Sequence, residues 1–177
     1  MREEQQLKFT FREATVADAL AVAKVHVQSW RESFAGIVPQ TFLDKMSVEN
    51  RARAFETSFA FDSYKMFVVE TQENYIVGFA DFGKIRDNQS KFEAELYAIY
   101  LLSDVQRKGI GGKLFDLGVK YLVANNMNSL SLTALEASPY KRFYEKMGGR
   151  LVERKTTNIE SKSYATVIYG WDKLDVS

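Results

Sequence analysis

The sequence predicts one mixed α/β domain, a sheet with helices on its faces. Three observations predict it. Apolar residues alternate at period two over 7–11, then recur at steps of four and three from Val16 to Phe34. Short runs rich in Val, Ile, Tyr, Leu and Phe follow through the middle and the end of the chain. Between the longest of these runs and the next helical stretch lies a turn with three glycines and two cations, Arg107-Lys108-Gly109-Ile110-Gly111-Gly112.

The elements follow in order. Leu7, Phe9 and Phe11 alternate with Lys8, Thr10 and Arg12, the pattern of a half-buried first strand. Thr15 is a good helix N-cap, with Asp18 three residues on as the reciprocal acid. Val16, Leu20, Ala23, Val27, Trp30 and Phe34 then fall on one face of a long helix, which Gly36 stops. Pro39 opens a short helical piece to about Met46, and Ser47 caps a third through Ala52, Phe55 and Phe59. The period then changes. Residues 66–69 read as a buried strand, 72–74 as a turn, and 75–84 as the partner strand of a hairpin. A polar loop over 86–90 leads to the longest strand, 92–102. After the glycine turn, Leu114, Leu117, Gly118, Tyr121 and Leu122 face inward from a helix. Residues 129–135 form another strand. Pro139 starts a helix through Phe143 and Met147, and Gly148-Gly149 ends it. Strands 151–156 and 164–171 close the chain as an antiparallel pair.

Composition bounds the function. A chain of 177 residues, 46% hydrophobic and 27% charged, suffices for one domain over 1–177. Its core is expected over 7–171, with 1–6 as a flexible polar tail. The 13 Phe and 9 Tyr predict an aromatic core or pocket. Twenty-four Lys+Arg against 23 Asp+Glu, without a long basic run, argue against nucleic acid as a partner. The chain has no cysteine, which excludes disulfides, thiolate metal sites and Cys nucleophiles. A single histidine excludes a two-His metal motif, so no metal is expected. No apolar signal region follows the start and no run is long enough to cross a bilayer. The expectation is therefore a cytoplasmic protein without a membrane partner.

The glycine turn is the strongest chemical signal. Backbone N–H groups at a helix start, with the helix dipole behind them, attract an anion, and glycine lets it approach closely. A Walker-type loop would need a hydroxyl residue after Gly112-Lys113, where Leu114 stands. A dinucleotide fingerprint would need glycine at that same Leu114. Gln106-Arg107-Lys108-Gly109-Ile110-Gly111 instead gives Q-x-x-G-x-G. That motif, between an apolar strand and an amphipathic helix, resembles the coenzyme A pyrophosphate loop of the GNAT superfamily of N-acetyltransferases. The order of elements over nearly the whole chain is similar too.

The resemblance implies a mixed, mostly antiparallel central sheet flanked by helices, with acetyl-CoA as co-substrate. It implies pyrophosphate binding by Gln106, Arg107, Lys108, Gly109, Ile110, Gly111 and Gly112. It implies that Ile99, Tyr100, Leu101 and Leu102 hold the pantetheine arm, with a backbone N–H near Leu101 or Leu102 as oxyanion donor. Ala94-Glu95-Leu96 resembles the context of the catalytic glutamate in histone-type members. An ammonium must lose a proton before it attacks, and a carboxylate at the acceptor end can take it. Glu93 competes with Glu95, at the same strand parity.

Ser138-Pro139-Tyr140-Lys141-Arg142-Phe143-Tyr144-Glu145-Lys146-Met147-Gly148 resembles the later N-x-x-x-x-F-Y-x-x-x-G segment of the superfamily. The resemblance makes Tyr144 the acid that protonates the leaving thiolate, with Ser138 and Phe143 beside the coenzyme. Ser138 departs from the usual Asn, and Tyr140 stands where a small residue is usual. On the acceptor side, Ser29-Trp30-Arg31-Glu32-Ser33-Phe34-Ala35-Gly36-Ile37-Val38-Pro39 is similar to a pattern common in small bacterial acetyltransferases. Trp30 and Phe34 are one helical turn apart and line the amine pocket or pack in the core beneath it. Glu32 reads as a solvated charge and His26 as a structural residue. The expected reaction is direct acetyl transfer to a primary amine of a small molecule or peptide through a ternary complex. The alternative is a non-catalytic acyl-CoA-binding domain. An exposed sheet edge and the C-terminal hairpin are the candidate contacts for a homodimer.

Overall fold

Chain-entry chemistry sets the first elements of the computed structural model, which describes residues 8–176; the expected flexible tail and Leu7 lie outside them. Strand β1 (Thr10–Glu13) leads into a single 3₁₀ turn at Val16–Asp18 and then helix α1 (Ala19–Phe34). Asp18 organises this entry. Its carboxylate accepts the Thr15 backbone N–H at 2.8 Å and a two-pronged contact from Arg12 at 2.8 and 2.9 Å. The Arg12 contact is the larger cause that holds the Asp18 carboxyl below the usual range. The tight turn shifts the phase of the helix. Val16 and Leu20, expected to face inward, are instead 55% and 49% exposed, and the buried stripe runs through Ala19, Val22, Ala23, His26, Val27 and Ser29.

Helices α2 (Gln40–Lys45) and α3 (Val48–Ser58) follow, the latter capped by Ser47 Oγ, which accepts the Asn50 N–H at 3.1 Å. Strands β2 (Lys65–Glu70), β3 (Ile76–Lys84) and β4 (Ala94–Leu101) come next. Helix α4 (Ile110–Ala124), strand β5 (Leu130–Leu135) and the short helix α5 (Lys141–Lys146) precede the hairpin of β6 (Arg150–Ile159) and β7 (Lys162–Trp171). The seven strands form one sheet in the order β1-β2-β3-β4-β5-β7-β6. Every neighbouring pair is antiparallel except β4 and β5.

The sheet separates two cores. On one face, α4 covers Ala80, Phe82, Ala94 and Leu96 with Leu114, Phe115 and Leu122. Gly118 makes this approach possible, since a Cβ there would come within 2.0 Å of the Phe82 ring. On the other face, α1 and α3 pack Val22, Ala23 and Phe55 on Met66, Val68 and Phe79. A smaller cluster of Phe34, Val38, Leu43 and Leu135 ties α1 and α2 to the end of β5. Among the described residues, no helix is long and apolar enough to cross a membrane.

Candidate active site

The parallel pair opens into a gap. Strands β4 and β5 are in register only at Ala94–Leu130 and Glu95–Ser131, after which β5 keeps β7 as its partner and β4 keeps β3. A bulge sits where the gap begins. Phe82 pairs with Leu96 and Asp81 with Ala98, so Tyr97 is the extra residue. Beyond it, the edge of β4 facing β5 has no strand partner. The Leu102 N–H donates to Val77 O at 2.9 Å and is spent on β3. Successive N–H groups of a strand point to opposite sides, so the N–H groups of Leu101 and Ile99 face the gap. Of the two N–H groups expected as oxyanion donors, Leu101's faces the gap and Leu102's does not.

The glycine turn lies at the same end of β4. Gly109 is the N-cap of α4 with φ +78°, a left-handed conformation that glycine adopts without strain, and Arg107 holds φ +60° just before it. The first helical bond is Lys113 N–H to Gly109 O at 3.2 Å. Among the described residues, no protein acceptor takes any of the six backbone N–H groups from Arg107 to Gly112. Phe143 closes one side of the turn, packed so that a Cβ on Gly111 would meet its ring at 3.1 Å. Arg107 and Lys108 are exposed beside it. Gln106 does something else. Its Nε2 donates to Leu101 O at 3.0 Å and to the Tyr140 hydroxyl at 3.3 Å, which braces the end of β4.

Tyr140 is a residue whose role the sequence left unread. Its hydroxyl also shares a short hydrogen bond with Ser33 Oγ, so it joins α1 to the segment before α5. Ser138 Oγ accepts the Tyr140 N–H at 3.2 Å and shapes that turn. Helix α5 is fixed at its far end, where Trp171 Nε1 donates to Met147 O at 2.8 Å and Gly149 N–H to Tyr144 O at 3.0 Å. This anchoring aims Tyr144 at a chamber of about 400 Å³ in the β4–β5 gap, which Ile99, Tyr100 and Ser138 also line. The Tyr144 hydroxyl donates to no protein group among the described residues. Burial, with three neighbouring phenols, raises it above the usual tyrosine range, so it stays protonated.

A second chamber of about 590 Å³ lies on the α1–α3 face. Trp30, Tyr97, Ala98, Tyr100 and Thr133 line both chambers, which therefore adjoin at the bulge. Trp30 reaches the chambers, whereas Phe34 belongs to the small core cluster and edges only the first. Glu32 is exposed and accepts from Gln28 at 2.8 Å. His26 lines the second chamber, buried against Tyr100 at 5.2 Å between ring centroids, and desolvation lowers its imidazole to about 3.

Glu95 is not brought to either chamber. Arg86 grips it with Nε at 3.0 Å and Nη2 at 2.6 Å, and stacks its guanidinium over the Tyr97 ring at 4.3 Å. Glu93 is exposed and accepts the Asn128 N–H at 2.5 Å. Two other carboxylates do line the chambers: Glu160 at the rim of the first and Asp81 of β3 in the second, both of which the sequence reading passed over. The signal of Asp81 was present as one acid inside the apolar run Val77-Gly78-Phe79-Ala80-Asp81-Phe82, where β-strands seldom place Asp.

Comparison with known proteins shows the family and the fold. The model of the acetyltransferase (GNAT) family matches residues 27–149, more than half of the chain. The chain is 34% identical over 166 residues to the uncharacterized N-acetyltransferase YuaI of Bacillus subtilis (strain 168), covering 93% of this chain and 94% of that one. The PaiA N-acetyltransferase of Thermoplasma acidophilum, solved in complex with coenzyme A, superposes with a TM-score of 0.67 at 17% identity, over 91% of this chain and 98% of that one. YncA of Salmonella typhimurium, solved with its cofactor acetyl-CoA, gives 0.71 at 16% identity, over 95% of each chain. At such identities the two structures share the fold.

Proposed function

Because this chain belongs to the GNAT family of acetyltransferases, we propose that it moves the acetyl group of acetyl-CoA directly to a primary amine within one ternary complex. One observation carries the donor side. The six unpaired N–H groups of the glycine turn stand at the end of β4, beside the gap that β5 leaves. That arrangement suits a pyrophosphate at the turn and a narrow arm along the strand edge. It is also consistent with the coenzyme A and acetyl-CoA bound by the two structural relatives.

The residues then divide the chemistry. The Leu101 N–H faces the gap and suits the oxygen of the tetrahedral intermediate. The amine enters as an ammonium and first gives up one proton. Its lone pair then forms the N–C bond, and the C–S bond breaks as the tetrahedral intermediate collapses. Tyr144, held neutral by burial, hands its proton to the leaving sulfur. The second N–H proton of the new amide nitrogen restores the phenol, so each turnover releases one proton. No cysteine is available for an acyl-enzyme, and the two adjoining chambers offer a separate space for each substrate.

Initial rates of thiol release, with both substrates varied and the acetylated amine identified by mass, test this reading. Intersecting double-reciprocal lines are expected. Parallel lines would require a covalent acyl-enzyme and contradict it. Tyr144→Phe is expected to lower kcat by about 100-fold, with little change in acetyl-CoA affinity.

A further inference from the structure

Asp81 lies where a strand can least accommodate a charge. Strand β3 is flanked by β2 and β4 and covered on both faces, and the Asp81 side chain is 4% exposed. Its Oδ2 accepts the Tyr64 hydroxyl at 2.9 Å. Its Oδ1 is buried with no hydrogen-bond partner, although Asp81 lines the second chamber. A buried carboxylate oxygen left unpaired is costly, and a donor arriving with a ligand would satisfy it.

The rest of that chamber has the opposite character. Asp81 is its only acidic lining residue among those described, and Arg51 and Lys84 are exposed at its wall without an ion pair among the described residues. Arg86 also lines it, with its charge taken up by Glu95. Trp30, Phe55, Tyr97 and Tyr100 supply aromatic surface to the same chamber.

We propose that this chamber binds the acceptor as a zwitterion: Asp81 Oδ1 receives the ammonium and takes its proton, and Arg51 and Lys84 meet an anionic group on the same molecule. The acceptor class is thus amino acids rather than polyamines or aminoglycosides, whose several positive charges would meet two unpaired cations. This rests on the acetyl-transfer reading above. The two chambers adjoin along Trp30, Tyr97, Ala98, Tyr100 and Thr133, so the proton acceptor and Tyr144 line neighbouring spaces. Burial raises the Asp81 carboxyl to about 7, against the pull of Tyr64, Arg86 and the nearby backbone N–H groups of Ala98 and Asp81 itself, none of which meets Oδ1 at hydrogen-bonding geometry. That pKa is close to the value a base needs at neutral pH. The other titratable groups facing the chamber are Tyr97, Tyr100 and the neutral His26.

The test uses the full chain with saturating acetyl-CoA. Thiol release is followed with L-methionine and L-phenylalanine, each beside its amide, and with spermidine and kanamycin. The amino acids are expected to be acetylated, and their amides to lose at least tenfold in kcat/KM. Arg51→Ala combined with Lys84→Ala is expected to raise KM for the amino acids about tenfold, more than it lowers kcat, and to erase the preference over the amides. Asp81→Asn is expected to lower kcat about 100-fold and to remove the fall in rate below about pH 7, with acetyl-CoA affinity by titration unchanged. Should Asp81→Asn not fold, the exposed double variant still decides. A better rate with spermidine or kanamycin, unchanged KM in the double variant, or an intact acid limb in Asp81→Asn overturns the inference. Acetyl-CoA binding without acetylation of either amino acid overturns it too and leaves the acetyl-transfer reading standing. Absence of acetyl-CoA binding overturns both.

Discussion

His26 and Asp81 are buried ionisable groups whose shifts oppose each other. Desolvation lowers His26 to about 3 and raises Asp81 to about 7. The unfolded chain therefore binds the His26 proton more readily, and the stability from neutral His26 is lost as pH falls below its ordinary value of 6.5. For Asp81 the folded chain holds the proton more tightly, so stability is lost as pH rises from its ordinary 3.8 toward 7. Between about pH 4 and 6.5 the two slopes cancel. Each variant should uncover the other group: Asp81→Asn gains stability with rising pH across that window, and His26→Leu loses it, by about 1 kcal/mol per pH unit. Urea midpoints at pH 4.5, 5.5 and 6.5 measure both. Identical slopes in the three proteins would contradict the assignment. The structural reading of His26 was legible from its place on a helix. The environment of Asp81 was not, because Tyr64 lies outside its strand and no local pattern announces that contact.

At the scale of elements, the packing of α4 on β3 gives the sharpest prediction. Alanine in place of Gly118 would gain about 1 kcal/mol of helix propensity. Its Cβ would also meet the ring of Phe82, which is 0% exposed and has nowhere to move. Overpacking of this kind costs about 1–3 kcal/mol, so Gly118→Ala is expected to lower the urea midpoint of unfolding; an unchanged or higher midpoint would contradict the packing. The types and order of the elements were legible from periodicity. Two details were not. The inward phase of α1 failed at Val16 and Leu20 because a 3₁₀ turn, with three residues per turn, precedes the helix. The closing hairpin extends to Ile159 and Lys162, beyond the apolar pattern, because β6 is an edge strand exposed along most of its length.

For the whole molecule, the decisive feature is the parting of β4 and β5 beside a turn full of unpaired N–H groups. The turn could be read from Gln106 to Gly112 alone. The gap could not, since it depends on β5 keeping β7 as its partner while the bulge at Tyr97 turns β4 away. The chamber proposed for the acceptor was the least legible, because it is assembled from α1, α3, β3 and β4. Ligand binding should act on the molecule as a whole. Acetyl-CoA at 100 times its Kd is expected to stabilise the chain by about 2.7 kcal/mol, seen as a rise in Tm that coenzyme-free controls lack.

Isothermal titration of the purified chain with acetyl-CoA, beside NAD and ATP, tests the central claim most directly. One acetyl-CoA per chain, with no heat from NAD or ATP, is the predicted result. Folded protein that takes up no acetyl-CoA, or that binds ATP or NAD in its place, would contradict it.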